Sequence, residues 1–150
     1  MPLFNQQEFS ELLLPTSFTH WHDESLVEVG GQLRIDTNPA LGYGIEVYQN
    51  PSANGDKFSF KRILAAGTYA INLITVCNNN VGILKLEIDG ALAFDDMDLY
   101  SPSTIVNAIL IRNITIATDG LHEFVWSING KNASAINYYF SGRKIWARKI

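Results

Sequence analysis

The chain has 150 residues, 47% of them hydrophobic and only 17% charged, with a formal net charge of −4. That length fits one domain with one core, able to bury roughly 68–70% of the surface its unfolded chain exposes. The acidic balance excludes a phosphate backbone as main partner, so no nucleic acid is expected. No run approaches the roughly 18 apolar residues of a membrane helix, so no membrane is expected either.

The charged fraction lies below the usual value of about 25%. Either a thick core sits under an Asn/Ser/Thr surface, or a partner covers a face that would otherwise carry charge. The charge is also uneven. The first 142 residues hold seven bases and all 15 acids, a balance of −8, and Arg143, Lys144, Arg148 and Lys149 follow. This basic end is a candidate docking surface, and equally a solvated edge strand that blocks aggregation. Cys77 is the single cysteine. It cannot form a disulfide within the chain and reads as a small buried hydrophobe. The N-terminus lacks the basic region and apolar core of a secretory signal. The sequons at Asn113 and Asn132 are accordingly read as coincidental.

In chain order, residues 1–16 form an arm distinct from the domain at 17–150. Phe4, Phe9, Leu12, Leu13 and Leu14 are spaced like one side of a short helix over 3–14, which Pro15 stops. So apolar a segment needs something to pack on, its own domain or another chain. From Phe18 the pattern is β. Phe18 to His22 alternates, Leu26–Val29 and Leu33–Ile35 flank Gly30-Gly31 as a hairpin candidate, and Gly44–Gln49 is a further strand. Asn50 to Asp56 is a loop by composition. Phe58–Leu64 follows, then Thr68–Cys77, with Tyr69, Ile71, Leu73 and Thr75 on one face and Ala70, Asn72, Ile74 and Val76 on the other.

Asn78-Asn79-Asn80 turns the chain. Leu84, Leu86 and Ile88 then share a face opposite Lys85 and Glu87, and Asp89-Gly90 opens a hairpin into a strand at Ala91–Phe94. Asp95 to Ser103 reads as a polar loop and Ile105 to Ala117 as a strand. Leu121–Ile128 puts His122, Phe124, Trp126 and Ile128 on one face, and Ala135–Phe140 and Lys144–Ala147 close the series. Asp89-Gly90, Asp119-Gly120 and Asn129-Gly130 each lie between such runs, and each tolerates the positive φ of a tight hairpin. Roughly nine strands at this spacing predict an all-β protein: an antiparallel β-sandwich of jelly-roll type.

The chemistry motifs are sparse. His20 and His22 share a strand face beside Asp23 and Glu24, but a third metal ligand at fixed spacing is missing. Asp95, Asp96 and Asp98 supply the oxygen ligands calcium prefers, without an EF-hand pattern. No nucleophile elbow, zinc-protease signature or phosphate loop is present, so no enzyme activity, cofactor or metal is expected. Trp21, Tyr43, Tyr48, Tyr100 and one of Tyr138 and Tyr139 are candidates for stacking on sugar rings. Trp126 and Phe124 read as core, and core is also the better reading for Trp21.

One set of turn and core residues carries a resemblance: Tyr48 to Ala53, Gly55-Asp56, Ala66-Gly67-Thr68-Tyr69, Gly82-Ile83-Leu84, Ile88-Asp89-Gly90, Asp98-Leu99-Tyr100-Ser101, Gly120-Leu121-His122, Gly130 to Ser134 and Tyr138-Tyr139. Over residues 18–148 the chain resembles a jelly-roll domain of tailed-phage virion proteins, either capsid decoration (cement) proteins or fibre ends. The resemblance implies a trimeric, non-enzymatic structural protein on the outside of the virion. It would bind the major capsid protein and stabilise the head. The alternative is a carbohydrate- or host-receptor-binding domain of a fibre, although a glycan is not the favoured partner. The domain's early start, with no shaft before it, favours the decoration protein. A homotrimer is also expected because Ile71–Val76 and Ile105–Ile116 are apolar on both faces, and a sandwich buries only one. The candidate partner-binding residues are Phe4, Phe9, Leu12, Leu13 and Leu14 of the arm, followed by Arg143, Lys144, Arg148 and Lys149.

Overall fold

The computed structural model describes residues 14–21, 26–29, 33–38, 43–49 and 53–150, and of residues 21–49 the backbone only. Eleven strands and no helix are present among them: β1 (Ser17–Trp21), β2 (Leu26–Val29), β3 (Leu33–Asn38), β4 (Tyr43–Gln49), β5 (Lys57–Leu64), β6 (Gly67–Cys77), β7 (Ile83–Ile88), β8 (Ala91–Asp98), β9 (Ile105–Ile116), β10 (Gly120–Ile128) and β11 (Phe140–Lys149). They form two antiparallel sheets. The first runs β3-β4-β11-β6-β9 with β1 also on β11, and the second runs β2-β5-β10-β7-β8. The fold is the all-β jelly-roll sandwich expected from the turn spacing.

Period two builds the core. In β6, Tyr69, Ile71, Leu73 and Thr75 are buried while Ala70, Asn72 and Ile74 are half-buried. In β10, His122, Phe124, Trp126 and Ile128 all face inward, as do Leu84, Leu86 and Ile88 of β7. An aromatic stack lines the core: Phe60 and Phe124 of the second sheet lie 5.2 Å apart, and Phe58 meets Phe140 of the first sheet at 5.4 Å between ring centroids. Parallel offset rings add to the apolar burial of each side chain. Cys77 is buried and free, as its neighbours predict.

Four expectations are corrected. Of the three turn dipeptides only Asp89-Gly90 closes a tight hairpin, β7 onto β8, with φ of 52° and 80° at the two residues. Both central residues are left-handed, as a type I′ turn requires. Asp119-Gly120 and Asn129-Gly130 instead carry the chain from one sheet to the other, since β9 and β11 lie in the first sheet and β10 in the second. Positive φ reverses the chain in both cases, but it does not choose the next strand's partner. Likewise β2 and β3 fall in opposite sheets, so Gly30-Gly31 does not join a hairpin.

The segment 135–140 is loop up to Phe140, and β11 is one strand with a bulge between Gly142 and Lys144. Finally, Asp95-Asp96 belong to β8. The register slips between Leu84 and Leu86 and again between Leu86 and Glu87, so two extra residues of β8 are accommodated and the alternation breaks.

β11 organises the first sheet. Along one edge it pairs β6, and along the other it is shared end to end by β4, at Phe140–Gly142, and β1, at Lys144–Arg148. Of the arm, Phe4, Phe9, Leu12 and Leu13 lie outside the described residues, and so does the helix expected over 3–14 apart from Leu14. Leu14 itself is half-buried. Pro15 and Thr16 are tied to the sandwich, their carbonyls accepting from the N–H groups of Ala65 and Lys149, each at 2.9 Å.

Candidate functional site

At one end of the sandwich three loops meet: 78–82 between β7 and β6, 99–104 between β8 and β9, and 129–139 between β10 and β11. Their sequences are poor in charge and rich in amides and tyrosines. Asparagine and serine bond neighbouring backbone groups readily, so such loops can be rigid without regular structure. Asn78 Oδ1 accepts from the Asn80 N–H, Asn132 Oδ1 from the Ser134 N–H and Asp98 Oδ1 from the Tyr100 N–H. Longer bonds then tie loop to loop. Asn132 Nδ2 donates to Asp98 Oδ2 at 2.7 Å, and Asn137 Nδ2 donates to Asn80 Oδ1 at 3.1 Å.

The backbone fixes the arrangement. Residues 78–81 form parallel bridges on two sides, Asn78 with Tyr100 and Val81 with Tyr139. The Ser101 N–H donates to the Asn78 carbonyl, the Ile136 N–H to that of Asn79 and the Tyr139 N–H to that of Asn80. The segment Asn78–Val81 is therefore held between two tyrosine-bearing loops. Tyr139 is 37% exposed, while Tyr138 beside it is half-buried and packs on the core. Lys131 Nζ lies 5.2 Å from the Tyr138 ring centroid and donates to the Ile136 carbonyl, so the one lysine of the loops braces 129–139. The surface that results offers phenol rings and amide groups on a pre-formed backbone. Such groups suit an uncharged ligand with ring faces and hydroxyls.

The other sequence candidates do not join this site. Arg143 and Lys144 are half-buried and Arg148 and Lys149 exposed, all on β11. Arg143 Nη1 donates to Asn107 Oδ1, Lys149 Nζ donates to the Ala66 carbonyl at 2.6 Å, and Lys144 Nζ lies over the Trp146 ring. The cations are thus spread along a strand rather than gathered into one patch. The side chains of Trp21, Tyr43 and Tyr48 lie outside the described residues, and His22, Asp23 and Glu24 are outside them altogether.

His20 is buried. Its ring stacks on Phe60 at 3.8 Å, and its Nδ1 accepts from Arg62 Nη2 at 2.9 Å. A guanidinium only donates, so Nδ1 is the bare nitrogen and is occupied. The acidic trio is divided as well. Asp96 lies 3.6 Å from Arg112, while Asp98 serves Asn132 and Tyr100. No group of three metal-ligating side chains is assembled among the described residues. Burial, and then the charge of Asp98, push the Cys77 thiol above its ordinary pKa, which makes it a packing residue rather than a nucleophile.

No family model and no curated protein matches the sequence. Solved structures do match the fold. A family 6 carbohydrate-binding module from Cellvibrio mixtus lichenase 5A, solved with cellotriose, gives a TM-score of 0.64 at 18% identity, covering 89% of this chain and 97% of the module. A family 35 module from Clostridium thermocellum gives 0.66 at 9% identity, covering 91% and 100%. A Paenibacillus xanthan lyase gives 0.73 at 17% identity over 94% of this chain, which spans only 14% of the lyase. At these identities the likeness shows the jelly-roll sandwich, and it carries no specific link to phage proteins.

Proposed function

We propose that the protein is a carbohydrate-binding domain that holds a neutral glycan on the loop end formed by 78–82, 99–104 and 129–139. The observation that carries this reading is the backbone clamp on Asn78–Val81, which presents Tyr100 and Tyr139 on either side of a row of asparagine amides. Pre-ordered loops lower the entropy cost of binding, and a half-exposed phenol can lie against a sugar's C–H face while amides meet its hydroxyls. Modules of this fold solved with cellotriose and with xylotriose support the ligand class.

Isothermal titration with cellotriose and xylotriose tests the proposal. Saturable binding is expected to one or both, weakened about tenfold, or roughly 1.4 kcal/mol, by Tyr139→Ala or Asn137→Ala with an unchanged circular dichroism spectrum. Binding to neither sugar, or binding indifferent to both substitutions, sinks it.

A second reading, a trimeric decoration protein on a capsid, draws on one observation besides the resemblance. Ile105, Val106, Ile109 and Ile111 of β9 stand 39–57% exposed on the edge of the first sheet. An edge strand this apolar invites a partner. Light scattering at the mass of one chain across micromolar concentrations would exclude the trimer.

A further inference from the structure

Two Asn-Gly dipeptides meet beside the loop end, Asn54-Gly55 ahead of β5 and Asn129-Gly130 after β10. Gly55 and Gly130 take φ of 95° and 86°, a left-handed backbone that favours glycine at both positions. That backbone choice carries a chemical liability. Glycine has no Cβ to keep its nitrogen away from the side chain before it, and asparagine is a thermolabile residue. In the reaction the glycine N–H loses its proton to solvent, and the nitrogen attacks Cγ of the asparagine. The N–Cγ bond forms and the Cγ–Nδ2 bond breaks. Nδ2 leaves as ammonia, with a proton taken from solvent. Water then opens the cyclic imide at either carbonyl and leaves aspartate or isoaspartate. An amide and a water molecule become a carboxylate and an ammonium ion, and no other reactant is needed.

Hydrogen bonds hold both glycine nitrogens away from this route. The Gly55 N–H donates to the Ile128 carbonyl at 2.9 Å, so its acceptor is main chain. The Gly130 N–H donates to Asn54 Oδ1, so its acceptor is a side chain from the other dipeptide. An amide N–H held in this way must lose its bond before the nitrogen can attack. The groups around Gly130 are fixed as well. Asn129 Nδ2, the group that would leave, donates to the Asp95 carbonyl at 3.2 Å. The Asn129 N–H donates to the Ile83 carbonyl at 2.8 Å, and the Ile83 N–H donates to the Gly130 carbonyl at 3.0 Å. The constraint on the Gly130 nitrogen itself, however, comes from one exposed side chain, that of Asn54.

We infer that Asn129 is a latent deamidation site and that the Asn54 side chain keeps it closed. Conversion has a structural consequence. Aspartate at 129 loses the donor to the Asp95 carbonyl, and isoaspartate adds a methylene to the main chain where residues 129–139 leave β10.

The test is peptide-mapping mass spectrometry of the purified protein held for days in warm, mildly alkaline buffer, with and without urea. Asn129 in the folded parent is expected to convert far more slowly than in urea. Asn54→Ala should speed that conversion in the folded protein about tenfold, the factor that one neutral hydrogen bond supplies. Asn54→Asp keeps an acceptor for the Gly130 N–H and should stay near the parent rate. Amide hydrogen exchange in the same variants separates local release from unfolding. Gly130 should exchange faster in Asn54→Ala, whereas Ile128, whose N–H donates to the Asp56 carbonyl at 3.0 Å, should not. Conversion of Asn129 as fast in the folded parent as in urea overturns the latent site. The role of Asn54 is overturned by an Asn54→Ala rate equal to the parent's, by an equal gain in Asn54→Asp, or by a gain that Ile128 exchange matches.

Discussion

Asp89 shows how much one turn residue can hold. Its carboxylate serves the Glu123 N–H and the His122 ring, while its own N–H donates to the Glu123 carbonyl at 2.9 Å. Burial pushes this carboxyl up, but the Glu123 N–H and His122 together outweigh that, and it titrates below its ordinary value of 3.8. A carboxyl depressed on folding stabilises the fold above its unfolded pKa, and that stabilisation is lost as pH falls through the lower folded value. Urea midpoints are accordingly expected to drop between about pH 5 and pH 2 in the parent, and Asp89→Asn should flatten that limb. At pH 7 Asp89→Ala leaves the Glu123 N–H and the buried ring unanswered. The expected cost is about 1–2 kcal/mol, at the low end for such losses because half of the carboxylate is in water. A limb that is equally steep in Asp89→Asn would show that other carboxylates set the acid response.

Elements differ in how far their sequence reveals them. β6, β7 and β10 were legible because one face of each meets the aromatic core, and that contact enforces strict alternation. β8 was legible only from Ala91 to Phe94, because its bulges place Asp95 and Asp96 in succession on the surface, where composition reads as loop. The turns were half legible. Positive φ at Gly90, Gly120 and Gly130 is what their preceding Asp or Asn suggests, but the strand that follows is chosen by the sheets. The site was visible only as ingredients. Tyr100 and Tyr139 stood among the stacking candidates, whereas Asn80 and Asn137 meet only through the fold, across 57 positions of chain.

Two substitutions probe these elements. Gly90→Ala places a Cβ at a left-handed position and should cost about 1–2 kcal/mol in thermal unfolding. Gly142→Ala would press a Cβ into the Phe140 ring, which is buried in the core, with an expected cost of about 1–3 kcal/mol. Stability unchanged by Gly142→Ala would mean that the Phe140 ring can move aside.

At the scale of the molecule, only β3 with β4 and β7 with β8 pair as neighbours in sequence, and the other pairings cross long stretches of chain. Loop closure must then precede most of the stabilising contacts. Refolding from urea should take milliseconds to seconds or longer, as in other sandwiches of non-local topology. A microsecond phase carrying the full amplitude would contradict the topology.

The shared edges of β11 have a consequence for how the molecule is made. Synthesis runs from the N-terminus, so β1, β4 and β6 all leave the ribosome before the strand that joins them. Until residues 140–149 emerge, each of the three has a bare edge where β11 will lie, and the core-facing side of β6, from Tyr69 to Leu73, has only a partial sheet around it. The second sheet has no such dependence, because β2, β5, β7, β8 and β10 are complete by residue 128. The nascent chain is therefore most exposed to aggregation in the interval between β10 and β11, a window in which a chaperone or a slowed ribosome would matter most.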